Sequence, residues 1–293
     1  SEYTKEEYLS LEEDKFQKIV CAYLAEYAVK YFGEEQLESN SFTYRLKTIL
    51  DNVMYLMKHI MEELSQSEFF VADCELKIGE DIPSYTIVLP DGHKIAVCGS
   101  VDRVDIMQRA DITYLRIIDY KTGTKQFKLS DILYGINLQM LLYLHSIEAS
   151  GGDKYGEIVP AGILYMPATV PYISSDSLKS IDKLPDELNK KLKMNGLLLK
   201  DTEIIHGMDK TDVATYIPVK IKAGEPVSST SLATLAEFGK IFKKVDMLIA
   251  EMGKNIYNGN IEAKPLKGGH DSCEYCPYDS VCAYRQSNPI TCF

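Results

Sequence analysis

The sequence predicts an α/β fold in which helices cover both faces of a mixed central sheet. Long segments with apolar residues at steps of three and four indicate helices, and shorter apolar runs that end at turn residues indicate strands. Both kinds of segment occur along a chain of 293 residues. With 45% hydrophobic and 26% charged residues, the composition is that of a globular protein.

The predicted elements are as follows. Helices are expected over residues 11–31 and 42–66, short strands over 75–78 and 85–89, a hairpin of strands 94–107 and 113–121 with its turn at 108–111, a helix over 128–148, a strand over 158–166, a loop over 167–183, a short helix over 184–194, a strand over 215–222 and a long helix over 229–256. Gly33 is expected to end the first helix. We divide the chain into a helical part (1–68), a sheet-containing core (69–258) and a cysteine-rich tail (259–293).

The net charge of −11 disfavours binding of a nucleic acid by this chain alone. A protein that grips nucleic acid alone usually carries a basic stripe, so a partner would have to deliver the substrate or supply the basic surface. No apolar run approaches the ~18 residues of a transmembrane helix, and no signal-peptide pattern opens the chain. We therefore expect a cytoplasmic protein without membrane contact. Because the chain begins with Ser, we also expect it to be a piece of a longer protein.

Three common kinds of active site lack their motifs in this chain. There is no G-x-x-x-x-G-K-(S/T) loop for ATP hydrolysis and no G-x-G-x-x-G after a strand for a dinucleotide. There is also no G-x-S-x-G elbow, and no histidine is placed beside a serine or cysteine in a recognisable catalytic pattern.

Two carboxylates and a lysine lie near the ends of the hairpin strands. Residues two apart on a strand share a face, so Asp119 and Lys121 point the same way. Asp102 on the partner strand is a direct or diagonal neighbour of Asp119, with Cβ atoms roughly 5–8 Å apart. Two carboxylates and the Tyr120 carbonyl are oxygen ligands that suit Mg²⁺ or Mn²⁺. The alternative is that Asp102 and Asp119 are ordinary strand-end residues, either solvated or paired with Arg103 and Lys121.

Such a site would perform metal-assisted hydrolysis of a phosphodiester. A bound cation would lower the pKa of a water and polarise the phosphoryl oxygen. Lys121 would stabilise the charge that builds on the phosphate or orient the attacking water. Glu75, on the preceding strand, is either a third acidic ligand or a surface residue. Asp105 points to the face opposite Asp102, and we expect it to pair with Arg103 or Arg116.

Two polar residues of the following helix, Gln139 and Tyr143, are one turn apart. The periodicity predicts them on a buried face with Ile132, Ile136 and Ile147. A buried amide and phenol need partners, because an unsatisfied one costs ~1–3 kcal/mol. A phosphate or the lysine could supply one. The alternative is that both lie at the rim of the core.

The tail contains Cys273, Cys276, Cys282 and Cys292. In a cytosolic chain such a cluster favours metal or iron–sulfur binding over disulfides. An iron–sulfur site fits the spacing of the first three, and a four-cysteine zinc site and free thiols stay open.

Taken together, three segments resemble the RecB-type nucleases of the PD-(D/E)-x-K superfamily. They are Gly99-x-x-Asp102-Arg103-x-Asp105, Asp119-Tyr120-Lys121-Thr122-Gly123 and Gln139-x-x-x-Tyr143. The tail Cys273-x-x-Cys276-x5-Cys282 is similar to the C-terminal nuclease domain of the AddB family, the second subunit of bacterial AddAB helicase–nucleases.

This resemblance implies a restriction-endonuclease-like fold and a role for each matched residue. Asp102 and Asp119 would be metal ligands, Lys121 the catalytic lysine, and Gln139 and Tyr143 a supporting motif. The three tail cysteines would hold a 4Fe–4S cluster. The family's fourth cluster cysteine and an early histidine have no match here, since neither Cys21 nor His59 has the expected context. The cluster is therefore expected to be incomplete in this chain.

The predicted function is a Mg²⁺-dependent (or Mn²⁺-dependent) DNA exonuclease domain that processes double-strand breaks for recombination repair. Its partners would be DNA ends, including single strands after unwinding, and an AddA-like helicase–nuclease subunit in the bacterial cytoplasm. Two alternatives stay open. One is a catalytically inactive DNA-end-binding or structural module of the same complex, and the other is a stand-alone RecB-like nuclease.

Overall fold

The computed structural model describes residues 5–123, 127–171, 173, 184–228, 230–265, 272–274, 276–278 and 281–282. Its elements are α1 (Lys5–Leu9), α2 (Glu13–Phe32), α3 (Glu34–Leu37), α4 (Asn40–Ser65), β1 (Phe70–Ile78), β2 (Tyr85–Val88), β3 (Lys94–Val97), β4 (Gly99–Arg109), β5 (Ile112–Lys121), a 3-10 helix (Leu129–Tyr134), α5 (Gln139–Ser150), α6 (Gly152–Tyr155), β6 (Glu157–Pro167), α7 (Leu184–Leu192), β7 (Asn195–Leu199), α8 (Thr202–Met208), β8 (Lys220–Lys222), β9 (Glu225–Val227), β10 (Leu232–Ala233) and α9 (Leu235–Tyr257).

A mixed sheet of six strands in the order β1-β4-β5-β6-β7-β10 forms the centre of the molecule. β1, β4 and β5 are antiparallel neighbours, β5 and β6 are parallel, β6 and β7 are antiparallel, and β7 and β10 are parallel. β6, near the middle, is buried from Pro160 to Met166. The predicted mixed α/β sheet is therefore confirmed.

Helix α5 packs against β5, β6 and α9. Its buried side chains include Leu141, Leu144 and Ile147, each with no exposed surface, and they join Ile117 of β5 and Ile163 of β6 in one hydrophobic core. This burial stabilises the sheet at β5, the strand that carries Asp119, because apolar area removed from water contributes roughly 25 cal/mol per Å². Among the described residues, no helix is long and apolar enough to cross a membrane.

Several predicted elements match the structure closely. Helix α2 ends at Gly33, whose φ of 82° is a backbone angle that glycine adopts without strain. Helix α4 and strand β6 lie within two residues of the predicted bounds. Most of the predicted loop at 167–183 lies outside the described residues. The division into three parts at residues 68 and 258 stays a prediction.

The prediction of one continuous strand over 94–107 is wrong, because the structure has two strands there. The chain leaves one sheet and enters another at Cys98: β3 pairs with β2 in a separate two-stranded sheet, and β4 begins at Gly99. Strand β1 is also longer than predicted, because it starts at Phe70 instead of residue 75.

The predicted helix over 128–148 is interrupted. Gly135 and Asn137 adopt φ angles of 72° and 58°, which are incompatible with a right-handed helix. The Asn137 side chain donates a hydrogen bond to buried Asp131 at 2.7 Å, and this local contact competes with helix continuation. The α-helix therefore begins at Gln139.

Three differences occur in the last third of the chain. Of the predicted strand 215–222 only Lys220–Lys222 is a strand, because the Asp209 carboxylate accepts the backbone N–H groups of Thr211 and Tyr216 at 3.0 and 2.7 Å. The final helix starts at Leu235 and not at 229, because Thr234 forms a capping box with Glu237. Strand β7 and helix α8 were not predicted.

Candidate active site

The acidic residues of β4 and β5 meet where the ladder between these strands ends. The last paired residues are Arg103 and Ile118, and one further step in this register places Asp102 opposite Asp119. At that step the backbone N–H of Tyr120 donates to Asp102 Oδ2 at 2.9 Å. The side chain of Asp102 thus substitutes for a ladder hydrogen bond, and its position relative to β5 is set by this contact.

Asp119 carries the strongest sign of a ligand site. Its side chain is buried, and among the described residues none makes an aligned hydrogen bond to Oδ2. The ammonium of Lys121 lies 2.5 Å from that oxygen as an ion pair, although its direction does not meet hydrogen-bond geometry. Lys121 thus supplies one positive charge to this buried carboxylate, and a divalent cation shared with Asp102 would supply more.

The two carboxylates suit Mg²⁺ better than a metal ion that takes all of its ligands from the protein. In the part of the chain that the structure describes, no three His, Cys, Asp or Glu side chains are arranged as a metal site. Mg²⁺ usually keeps several waters and binds one or two carboxylates together with substrate phosphates. Asp102 and Asp119 fit that pattern. The Tyr120 carbonyl as a further ligand stays a prediction.

Glu75 lies close to this pair. Cys74 pairs with Arg103 and Leu76 pairs with Val101, so the register places Glu75 opposite Asp102. Its carboxylate accepts the Ser100 hydroxyl at 2.9 Å, and its φ of 54° marks a local distortion of β1. Glu75 is exposed. Its predicted role as a third acidic ligand stays a prediction.

Tyr165 of β6 is a residue near the site that the sequence did not single out. It is paired with Asp119 across the parallel strands, and its ring centroid lies 5.9 Å from Lys121 Nζ. Burial, with a smaller effect of the Asp119 charge, raises the pKa of Tyr165 to about 12. Only the pairing of β5 with β6, which joins residues far apart in sequence, identifies it.

Gln139 and Tyr143 do not lie on the predicted buried face. Because the helix starts at Gln139, Ile132 and Ile136 are not part of it, and its buried residues are Met140, Leu141, Leu144, Ser146 and Ile147. Gln139 is exposed and Tyr143 is half-buried, with Gln139 Nε2 donating to the Tyr143 hydroxyl at 3.4 Å. The expectation of a rim position is the correct one.

Tyr143 nevertheless contacts the start of β4. A Cβ atom placed on Gly99 would lie 2.1 Å from the Tyr143 hydroxyl oxygen and 2.5 Å from Cζ. The ring therefore occupies the space of a side chain at position 99, three residues before Asp102. Among the described residues, no hydrogen bond or ion pair links Gln139 or Tyr143 directly to the two aspartates or to Lys121.

A fully buried charge cluster lies on the other face of β4 and β5. Arg103 Nε donates to Asp105 Oδ1 at 2.9 Å, and Arg116 Nε donates to Asp105 Oδ2 at 3.0 Å. The prediction that Asp105 pairs with these arginines is thus confirmed. Burial alone would raise the pKa of Asp105, but the two guanidinium groups lower it below its ordinary value. Glu63 of α4, which the sequence did not single out, completes the cluster with contacts to both arginines.

The tail cysteines are only partly described. Cys273 and Cys276 are half-buried and Cys282 is exposed, and the Cys276 N–H donates to the Cys273 carbonyl at 3.3 Å. Cys292 lies outside the described residues. Cys21, which the resemblance left unmatched, is half-buried on α2. The iron–sulfur cluster stays a prediction.

A mixed sheet that brings two aspartates and a D-x-K lysine to the end of an antiparallel strand pair is the arrangement of restriction-endonuclease-like nucleases. The model of the PD-(D/E)XK nuclease superfamily matches residues 4–283, and the chain belongs to this superfamily. The resemblance found in the motifs is thereby confirmed.

Three curated relatives share a name that describes each as a subunit of an ATP-dependent helicase/deoxyribonuclease. The chain is 38% identical over 247 residues to the protein of Thermoanaerobacter sp. (strain X514), covering 82% of this chain and 21% of that protein. It is 37% identical over 251 residues to that of Alkaliphilus oremlandii, covering 83% and 22%. It is 37% identical over 254 residues to that of Clostridium kluyveri, covering 84% and 22%. The chain thus spans about a fifth of these relatives' length.

Proposed function

We propose that this chain is the nuclease domain of an AddB-like protein and hydrolyses DNA phosphodiesters as a Mg²⁺- or Mn²⁺-dependent exonuclease at double-strand breaks. The observation that carries this proposal is the buried Asp119 carboxylate, which lies beside the Lys121 ammonium and opposite Asp102. Superfamily membership and the deoxyribonuclease relatives support the same chemistry.

Asp102 and Asp119 would hold the cation, with Glu75 as a candidate third carboxylate. A divalent cation at such a site lowers the pKa of a bound water and polarises the phosphoryl oxygen. Within the chain, the Tyr120 N–H fixes the Asp102 carboxylate, so one of the two ligands is oriented before any cation arrives. Such orientation by neighbouring donors is what fixes metal ligands in known sites.

Lys121 would act on the phosphate. Its ammonium is a compact charge on a flexible stem, and its side chain is 29% exposed, so it can turn from Asp119 toward a substrate. There it would stabilise the negative charge that develops on the phosphate during hydrolysis. The ring of Tyr165, whose centroid lies 5.9 Å from Lys121 Nζ, would form part of the wall beside the lysine.

The substrate would reach the site with the help of a partner. The chain has a net charge of −11 and so repels a polyanion at long range. The relatives' name joins helicase to deoxyribonuclease, and we propose an AddA-like subunit that unwinds DNA in the bacterial cytoplasm and delivers ends or single strands. The tail cysteines would bind a 4Fe–4S cluster whose remaining ligand lies elsewhere in a longer protein.

Cleavage of end-labelled linear DNA tests the proposal. Single- and double-stranded substrates are incubated with Mg²⁺ or Mn²⁺ and the parent, Lys121→Ala, or the control Lys222→Ala, which changes an exposed lysine of β8. We expect the parent and the control to degrade DNA only with the cation. Lys121→Ala should be about 10²-fold slower, the usual cost of removing one group that stabilises developing charge. Equal rates for parent and Lys121→Ala would refute the assigned role.

The second candidate is an inactive DNA-end-binding or structural module. The negative net charge and the lack of a three-carboxylate group among the described residues favour it. Titration of Mn²⁺ into the parent and Asp119→Asn separates the two candidates. Binding that is lost in Asp119→Asn supports the nuclease, whereas a parent that neither binds Mn²⁺ nor cleaves DNA supports the module.

A further inference from the structure

Tyr120 stands between Asp119 and Lys121 and is held at two points. Its ring points to the face opposite those two side chains, because side chains alternate along a strand. There its hydroxyl accepts a hydrogen bond from Arg103 Nη1 at 3.2 Å. Its backbone N–H donates to Asp102 Oδ2 at 2.9 Å. Two consecutive residues of β4 thus bind the one residue of β5 that separates the proposed ligand from the proposed lysine.

The Arg103 guanidinium is itself fixed. It is 2% exposed, and its Nε and Nη2 donate to Asp105 at 2.9 and 2.8 Å. Nη2 also donates to Glu63 of α4 at 3.0 Å. With two guanidinium groups and two carboxylates, the cluster is balanced in charge. Because a guanidinium is planar and rigid, the hydrogen bonds of Nε and Nη2 also fix the position of Nη1, which points toward the Tyr120 hydroxyl.

The end of β5 is supported in this way on the side where its ladder with β4 has already ended. On the β4 side, paired residues stop at Arg103 and Ile118. On the β6 side, by contrast, the pairing continues to Lys121, whose carbonyl accepts the backbone N–H of Ala168 at 2.8 Å. The end of β5 is therefore held on its β4 side by side-chain contacts of Asp102 and Arg103 in place of a backbone ladder.

We propose that Arg103 and Tyr120 are positioning residues, which fix the end of β5 so that Asp119 and Lys121 face the phosphodiester site in one orientation. Because Glu63 of α4 accepts a hydrogen bond from Arg103, this chain of contacts connects helix α4 to the end of β5. The geometric part of this inference stands on the contacts of the chain alone. Its consequence for cation binding rests on the proposed function.

Tyr120→Phe removes only the hydroxyl, and Tyr114→Phe is the matched control. Tyr114 lies on the same strand and, by alternation, on the same face, but away from the site. The first readout is hydrogen exchange of the backbone amides of 119–121 in the metal-free chain. We expect exchange to accelerate up to about tenfold in Tyr120→Phe, as for the loss of one hydrogen bond, and to stay unchanged in the control. Thermal unfolding of both variants verifies that they are folded.

The second readout is Mn²⁺ affinity by calorimetry, with DNA cleavage alongside. Tyr120→Phe should bind Mn²⁺ about tenfold more weakly, as when residues that orient metal ligands are changed. Its kcat should fall while KM for DNA holds. Unchanged exchange and unchanged Mn²⁺ affinity in Tyr120→Phe would overturn the inference and leave the nuclease proposal intact. A parent without Mn²⁺ binding or cleavage would instead overturn the proposed function, and the exchange result would still decide whether Tyr120 holds the strand.

Discussion

Replacing Gly99 by alanine should displace Tyr143 from the start of β4. The added Cβ would lie 2.1, 2.5 and 2.7 Å from the hydroxyl oxygen, Cζ and Cε1 of the ring. Non-bonded heavy atoms pack at ~3.5–4.0 Å, so the ring must retreat by more than about 1 Å. Since the ring is half-buried, it can move outward, and we expect a modest loss of about 1–2 kcal/mol, within the range for overpacking.

A double-mutant cycle isolates this contact. In a Tyr143→Ala background the three atoms nearest to the added Cβ are absent, so alanine at position 99 should cost less than it does beside the ring. The cost of Gly99→Ala should therefore differ between the two backgrounds by about 1 kcal/mol or more, which is typical of residues in direct contact. Urea unfolding followed by circular dichroism measures each corner of the cycle.

Gly196 provides a contrasting control. A Cβ at that position would lie 2.0 Å from the backbone oxygen of Ile163, which cannot retreat as a side chain can. Gly196→Ala should therefore lose more stability than Gly99→Ala. The reasoning about Gly99 would be refuted if its substitution cost the same free energy with and without the Tyr143 ring.

Three further predictions concern stability. Glu63→Ala leaves two buried guanidinium groups with one carboxylate, so unfolding free energy from urea titration should fall by about 3–5 kcal/mol, and a loss under about 1 kcal/mol would contradict the buried cluster. Burial lowers the pKa of His145, but its contacts with Glu148 and Asp246 outweigh burial and raise that pKa. The protonated ring therefore stabilises the fold fully below about pH 6.5, the unfolded value, and this stability is lost as pH rises through the folded pKa. The urea midpoints of the parent and His145→Gln should therefore differ below about pH 6.5 and become equal once the pH exceeds the folded pKa of His145. Midpoints that differ by the same amount at every pH would contradict this role of His145. Thr234→Ala removes the capping box of α9 and should cost about 1 kcal/mol, while Thr230→Ala, outside the helix, should cost less.

Several features of the site follow from local pattern. Asp119 and Lys121 share a face because alternation along a strand is a property of the extended backbone. The same alternation separates Asp105 from Asp102, and the structure confirms the pairing of Asp105 with Arg103 and Arg116. The motifs also identified the superfamily, which the match over residues 4–283 confirms.

Predictions from the spacing of apolar residues failed where a side chain formed hydrogen bonds that compete with regular secondary structure. Apolar spacing over 128–148 is helical, yet Asn137 donates to Asp131 and the chain turns at Gly135. The expected strand over 215–222 is mostly replaced by a loop that wraps the Asp209 carboxylate. The first of these errors placed Ile132 and Ile136 on one helix with Gln139 and Tyr143, and this led to the wrong expectation that the two polar residues lie on a buried face.

The sequence by itself determined the α/β class, the strand pair with its carboxylates and lysine, and the superfamily, because each depends on backbone periodicity or on residues close together in the chain. The tertiary structure decided the rest: Tyr165 beside Lys121, Tyr143 against Gly99, and Glu63 beneath both arginines. These contacts join residues that are at least 40 positions apart. They depend on how helices and strands pack together, and no local pattern encodes that packing.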